Sequence, residues 1–160
     1  MVDYQFSPFS SAEALLCCAW RYGPGYGLYD MSEHDAVALL APSLDYRAVR
    51  QGGRLVGIAC FGAEARVKGG PYDQAALDLG CQLDPALCGQ GLGKDFVAAV
   101  LRFAIGEFRP PRLRLTVACD NLRAIKTYER SGFAAVRRFA GMSRGGTHRF
   151  FLMSRAVERM

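Results

Sequence analysis

Cys88-Gly89-Gln90-Gly91-Leu92-Gly93-Lys94 is the stretch on which the fold turns. Its glycines leave backbone amides open on one side, with no Cβ to hold an anion away. The apolar period changes across it. Before it, Ala75 to Leu83 alternates, with Leu77, Leu79, Cys81 and Leu83 on one face and Asp78, Gly80 and Gln82 on the other, as a strand does. After it, Leu92, Phe96, Val100, Phe103, Ala104 and Phe108 recur at spacings of three and four, which predicts an amphipathic helix of about four turns. Pro110-Pro111 stops that helix. A glycine-rich turn from strand to helix offers orphan amides and the positive end of the helix dipole. Lys94 adds a cation in the first turn, where the dipole alone disfavours one, so a bound anion would explain it. Two well-known phosphate loops are excluded by spacing. The dinucleotide fingerprint G-x-G-x-x-G fails because the third glycine comes one residue early. The loop G-x-x-x-x-G-K-[S/T] fails because Cys88 stands at its first glycine and Asp95 at its hydroxyl. A tight turn without a ligand is the competing reading of this motif on its own.

Toward the C-terminus, Leu113, Leu115 and Val117 alternate with Arg112, Arg114 and Thr116, a second strand. Asn121-Leu122-Arg123-Ala124-Ile125-Lys126-Thr127-Tyr128-Glu129-Arg130-Ser131-Gly132-Phe133 follows. It predicts a short helix from about Asn121 to Ser131, with Gly132 as a left-handed C-terminal cap. Asn121 and Tyr128 are seven apart, and seven steps of ~100° bring them to nearly the same face. A phenol there can protonate a leaving thiolate, or it can simply pack with its hydroxyl at the surface. Phe133 to Phe139 and His148 to Met153 are expected to close the sheet.

Toward the N-terminus, Val2 to Phe6 is expected as a first strand, and Ser10 or Ser11 caps a helix through Trp20. Gly23, Pro24, Gly25 and Gly27 force a loop. Ser32, with Asp35 three residues on, starts a second short helix that ends near Pro42. Tyr46 to Arg50, the turn Gln51-Gly52-Gly53, and Arg54 to Ala63 form a hairpin, and Lys68-Gly69-Gly70-Pro71 is a further turn. The order is mixed α/β, with a strand–helix–strand–helix core at residues 75–131, and 160 residues without a linker or repeat are expected to form one domain over 1–160.

The net charge of +5 is spread along the chain and suits a small anionic ligand. No basic run interleaves with aromatics, so a nucleic-acid partner is not expected. Six cysteines without a CxxC pair, and only two His, argue against a zinc site, and no metal is expected. The cysteines are expected reduced and largely in the core. Asp3 sits where a secretory leader would be basic, and the apolar stretch Ala14 to Trp20 is too short to span a bilayer. The expected setting is cytoplasmic, without a membrane partner.

The glycine loop and the Asn–Tyr helix, about 30 residues apart, together resemble the GNAT family of acetyltransferases over residues 77–139. Gly89, Gln90, Gly91, Leu92 and Gly93 match the family's [Q/R]-x-x-G-x-[G/A], with Cys88 where Gln or Arg is usual, and Asn121, Ala124, Tyr128, Gly132 and Phe133 match N-x-x-A-x-x-x-Y-x-x-x-G-F. The resemblance implies the GNAT acyl-CoA acyltransferase fold: a central, mostly antiparallel twisted sheet with a splayed parallel strand pair and flanking helices. It implies acetyl-CoA as cosubstrate, held by backbone groups at Cys81 and Leu83, with the Leu83 amide polarising the thioester carbonyl. Pyrophosphate would sit on the amides of Gly89, Gln90, Gly91, Leu92, Gly93 and Lys94. Asn121 would hold the pantetheine arm and Tyr128 would protonate the departing thiolate. An amine of a small molecule or peptide would attack directly, with no acyl-enzyme. Relatives that acetylate ribosomal-protein N-termini carry a glutamate where this chain has Thr116, so that activity is not implied. Asp78 is the candidate general base, directly or through water, unless it is solvated or salt-bridged. Trp20, Tyr22, Tyr26 and Tyr29 are candidates to hold a cationic amine, or else form a satellite core. A non-catalytic acyl-CoA-binding or regulatory protein on the same fold is the alternative, and a homodimer is left open.

Overall fold

The structure, a computed structural model, describes residues 3–144 and 146–158. Its strands are β1 (Gln5–Ser7), β2 (Tyr46–Gln51), β3 (Arg54–Phe61), β4 (Leu77–Leu83), β5 (Arg112–Ala118), β6 (Ala134–Ser143) and β7 (Gly146–Ala156). Its α-helices are α1 (Ser11–Cys18), α2 (Ala36–Leu40), α3 (Gly93–Phe108) and α4 (Leu122–Arg130). The strands form one sheet in the order β1-β2-β3-β4-β5-β7-β6. Every pairing is antiparallel except that of β4 with β5. The architecture is thus the mixed α/β one expected. Val2, the start of the expected first strand, lies outside the described residues. The first helix ends at Cys18 rather than Trp20, and a 3-10 turn at Glu33–Asp35 precedes α2.

Local chemistry places these elements. The Ser10 hydroxyl accepts from the Glu13 amide (3.2 Å) while the Glu13 carboxylate accepts from the Ser10 amide (3.1 Å), a closed capping box. Arg109 takes a left-handed conformation (φ 48°) after α3, ahead of the two prolines. On one face of the sheet, α3 buries Phe96, Val97, Val100 and Ala104 against Val49, Val56, Phe61 and Leu79. On the other, Ala14, Cys17 and Leu39 of the first two helices cover Ala48 and Ile58. At Gly57, a Cβ would meet the Phe96 ring at 2.5 Å and the Gln82 carbonyl oxygen at 2.7 Å, so only glycine lets α3 lie this close to β3. The cysteines are free thiols; Cys17 and Cys18 are core residues, burial pushing the Cys17 thiol up to about 12, whereas Cys60, Cys81, Cys88 and Cys119 are only partly buried, contrary to the expectation that most would lie in the core. No helix among the described residues is long and apolar enough to cross a membrane.

The parallel pair decides the shape. β4 and β5 are in register only at Leu77↔Leu113 and Asp78↔Arg114, after which they part. Asp78 sits at that junction, 2% exposed. Its carboxylate accepts from Arg114 Nε (2.6 Å) and Nη2 (2.9 Å) and from Arg66 Nε (2.9 Å). Arg114 continues to Asp73 Oδ1 at 2.7 Å, and both guanidiniums lie 5.4 Å from the Tyr72 ring centre. These bonds, those to Asp78 first, hold the Arg114 guanidinium above its usual range. The expectation that Asp78 is the general base is corrected here. A carboxylate saturated by two guanidiniums, and outside the cleft lining, joins two strands rather than accepting a substrate proton.

Two consequences can be measured. Asp78→Asn leaves a buried Arg114 undercompensated, and loss of one partner of a buried pair costs roughly 3–5 kcal/mol. For a chain of this size that is a fall in Tm of about 10 °C by calorimetry; an unchanged Tm would remove Asp78 from this structural role. Glu13, bound by Arg50 Nε at 2.6 Å, titrates at about 2 rather than 4.5 in the folded chain, chiefly through that bond. Its folded value is depressed, so its contribution is present above 4.5 and is lost as pH falls toward 2. Glu13→Gln should therefore lower Tm at pH 7 and make little difference near pH 2.

Candidate active site

The parted strands open a cleft of about 710 Å³. The Asp84 amide donates to the Val56 carbonyl at 2.7 Å, next to the Gly57↔Leu83 pair, so that pair is a non-hydrogen-bonded one. The alternation along an antiparallel ladder then turns the N–H and C=O groups of Leu83 and Cys81 away from β3 and into the cleft. Two strand residues thus present backbone hydrogen-bonding groups where β5 no longer reaches. The Leu83 carbonyl accepts from the Tyr22 hydroxyl (2.8 Å), while its amide faces the cleft.

The glycine loop closes one end. Gly89 and Gly91 take φ of 76° and 78°, which only glycine adopts without strain. Gln90 braces the loop by donating to the Ala86 carbonyl at 2.7 Å. Leu92 precedes α3 and supplies no side-chain acceptor, and the first helical bond is Phe96 N–H to Leu92 C=O, so the amides of Gly93, Lys94 and Asp95 are the orphans of the first turn. Lys94, Arg123, Lys126 and Arg130 line the same cleft. Orphan amides, a helix dipole and several cations make a site for a polyanion, and a Cβ on Gly91 would meet no protein atom within 4 Å. Burial raises the Cys88 thiol, which lies 3.8 Å from the Leu83 carbonyl oxygen, and the Arg123 charge works against that rise.

Tyr128 enters from α4. Its hydroxyl is 3.9 Å from Cys81 Sγ and its ring stands edge-on to Phe133 at 6.2 Å. Burial, then the neighbouring Cys81, raises it well above 10.0, so it is a phenol rather than a phenolate. Asn121 is the N-cap of α4 and not part of its spiral: Oδ1 accepts from the Ala124 amide (3.2 Å) and Nδ2 donates to the Tyr29 hydroxyl (3.1 Å). One amide hydrogen of Asn121 remains for a ligand. Both residues line the cleft. Thr116 also lines it, its hydroxyl 2.7 Å from that of Tyr72.

The aromatic cluster divides. Trp20 packs against the core under α1 and α2. Tyr22, Tyr26 and Tyr29 reach the cleft, but with their functional groups engaged: Tyr22 on Leu83, Tyr26 under Arg123 (5.2 Å), Tyr29 on Asn121. They brace β4 and α4 more than they offer an open cage. Glu64 and Tyr46 line the cleft too, and no pattern in the sequence singled them out. Glu64 lies in a 3-10 turn, Gly62–Ala65, that follows a hairpin and has no periodicity to read.

The family profile described as "Acetyltransferase (GNAT) domain" matches residues 18–134. No curated sequence matches the chain. Solved structures share its fold at low identity. An acetyltransferase of the GNAT family from Bacillus anthracis aligns with a TM-score of 0.74 at 13% identity, over 98% of this chain and 96% of the other. A spermidine N-acetyltransferase chimera from Vibrio cholerae gives 0.70 at 13%, over 96% and 95%. AAC(6')-Ib in complex with ribostamycin and coenzyme A gives 0.69 at 17%, over 96% and 93%.

The loop geometry sets a binding test. Coenzyme A should raise Tm, as any ligand of the native state does, with no comparable rise from NAD or ATP. Gly91→Ala forces a side chain into a left-handed conformation, a strain of roughly 1–2 kcal/mol confined to the loop. Calorimetric affinity for coenzyme A should fall at least tenfold while the circular dichroism spectrum is kept. Normal affinity in the folded variant would reduce the loop to a turn.

Proposed function

Given that this chain belongs to the GNAT acetyltransferase family, we propose that it transfers the acetyl group of acetyl-CoA to a primary amine of a small molecule or peptide. The observation that carries this reading is the convergence on one cleft of three features: outward-turned backbone groups on β4, an uncapped α3 N-terminus, and a protonated Tyr128. Acetyl-CoA supplies an activated thioester. The Leu83 amide donates to its carbonyl oxygen, where negative charge grows as nitrogen adds. The amides from Gly89 to Lys94, with Lys94 and Arg123, take the pyrophosphate. Asn121 steadies the pantetheine arm with its remaining N–H.

In the transfer, a C–N bond forms as the C–S bond breaks. The electron pair of the broken bond stays on sulfur, and Tyr128 delivers a proton there. A bare phenolate in this buried place is costly, so the phenol regains its proton, through solvent, from the nitrogen that has become acidic on acylation. Direct attack leaves the buried thiols with no part in the chemistry. One fold relative is named a spermidine N-acetyltransferase and another is in complex with ribostamycin and coenzyme A, which supports the substrate class.

Tyr128→Phe removes one hydroxyl and keeps the ring on Phe133. On an amine found by screening for thiol release, kcat should drop roughly 10²-fold, with KM and coenzyme A affinity little changed. Because the phenol is held well above 10.0, the wild-type kcat profile should show no alkaline fall from this group below that pH. Full turnover by the Phe variant would take Tyr128 out of the mechanism.

A further inference from the structure

The cleft is unevenly charged. Lys94, Arg123, Lys126 and Arg130 enter it from α3 and α4, whereas Glu64 is the one carboxylate among its described lining residues. Arg66, two residues on, has its charge answered by Asp78. None of the ion pairs among the described residues involves Glu64. The Glu64 carboxylate accepts a hydrogen bond from the Tyr46 hydroxyl at 3.2 Å. Burial first, then Cys60 and Glu64 itself, raises Tyr46 and keeps it a donor.

Glu64 is also close to the strand that carries the chemistry. Ala65 packs on β4, since a Cβ built on Gly80 would lie 3.8 Å from the Ala65 Cβ. Gly80 precedes Cys81, whose thiol meets Tyr128. A second polar group lines the same cleft: the Ser143 hydroxyl is buried without a hydrogen-bond partner among the described residues. The bridge between Lys68 and Met142 sets it alongside the segment that follows Glu64.

We propose that Glu64 is the acceptor-specificity residue of this cleft, binding an ammonium group of an amine that carries a second positive charge. The proposal rests on the acetyltransferase reading above. A carboxylate stabilises the charged form of an amine beside it, and an ammonium has no lone pair with which to attack. Glu64 therefore suits a nitrogen other than the one acetylated. One ammonium docks at Glu64, and another nitrogen, having lost its proton to solvent, reaches the thioester near the Leu83 amide. The acceptor class is an aliphatic di- or polyamine, or a comparably charged amino compound.

Three probes separate the terms: 1,5-diaminopentane, pentylamine, and 5-aminopentanoate, which puts a carboxylate where the diamine has its second ammonium. Thiol release reads turnover, and calorimetry reads binding of each probe with and without saturating coenzyme A. Wild-type protein should favour the diamine at least tenfold in kcat/KM over the other two. Glu64→Gln, which can still accept from Tyr46, should abolish that preference through KM and leave coenzyme A affinity and Tm unchanged. Tyr46→Phe keeps the carboxylate and should keep the preference. Retained preference in Glu64→Gln overturns the proposal, as does a wild-type protein that turns over all three probes alike. If no probe turns over, calorimetry decides: diamine binding weakened at least tenfold in Glu64→Gln supports the proposal, and absent or unaltered binding overturns it. Failure of coenzyme A to bind would overturn the acetyltransferase reading instead.

Discussion

The buried contact between Asp78 and Arg114 fixes where β4 and β5 touch and where they part. Parallel strands ordinarily continue side by side, with their carbonyls and amides paired. Here a carboxylate and a guanidinium, both almost wholly removed from water, lock the first two register positions. Desolvating two charges is expensive, and it is tolerated because Asp78 receives donors from both Arg114 and Arg66. Beyond that lock the strands diverge, and the backbone groups of Cys81 and Leu83 face open space. The cleft is the result of an interrupted ladder held firmly at one end.

Around that opening the protein arranges charge by distance from water. The cationic end combines helix-terminal amides with side chains from α3 and α4, so fixed dipoles and full charges of one sign face the same opening. Tyr128 is placed deeper, where burial keeps it a phenol. The same desolvation that makes a phenolate unfavourable makes the hydroxyl a dependable hydrogen-bond donor. Glu64, half-buried, balances the cations from the other side with a single negative charge.

The loop before α2 links both sides of the opening. Tyr22 bonds Leu83 on β4, Gln82 of the same strand donates to the Tyr29 carbonyl at 3.2 Å, and Tyr29 accepts from Asn121 at the start of α4. Tyr26 lies under Arg123. These contacts convert a glycine-rich loop of little intrinsic order into a strap across the parted strands. Its tyrosines line the cleft, but their functional groups are engaged by the protein's own groups.

Much of the fold was legible because local periodicity and turn chemistry are properties of neighbouring residues. The alternation of Leu77, Leu79, Cys81 and Leu83, the three-and-four spacing through Phe96 and Val100, and the glycines at 89 and 91 each specify a local conformation that tertiary packing keeps. The motif helix was legible for the same reason, although Asn121 proves to be its cap, because an amide side chain serves a helix terminus as readily as a helix face. Asp78 was misread, because nothing in the alternation says that Arg66 and Arg114 converge on it from other elements. Glu64 was not seen at all, since a lone carboxylate in a turn gains meaning only when β4 folds up beside that turn and α4 lines the same cleft. What the sequence by itself determined is the local geometry: the strands, the helices and the anion-ready loop between them. Tertiary structure alone decided which charges are neutralised and which face the cleft, because ion pairing and burial depend on residues brought together from distant parts of the chain.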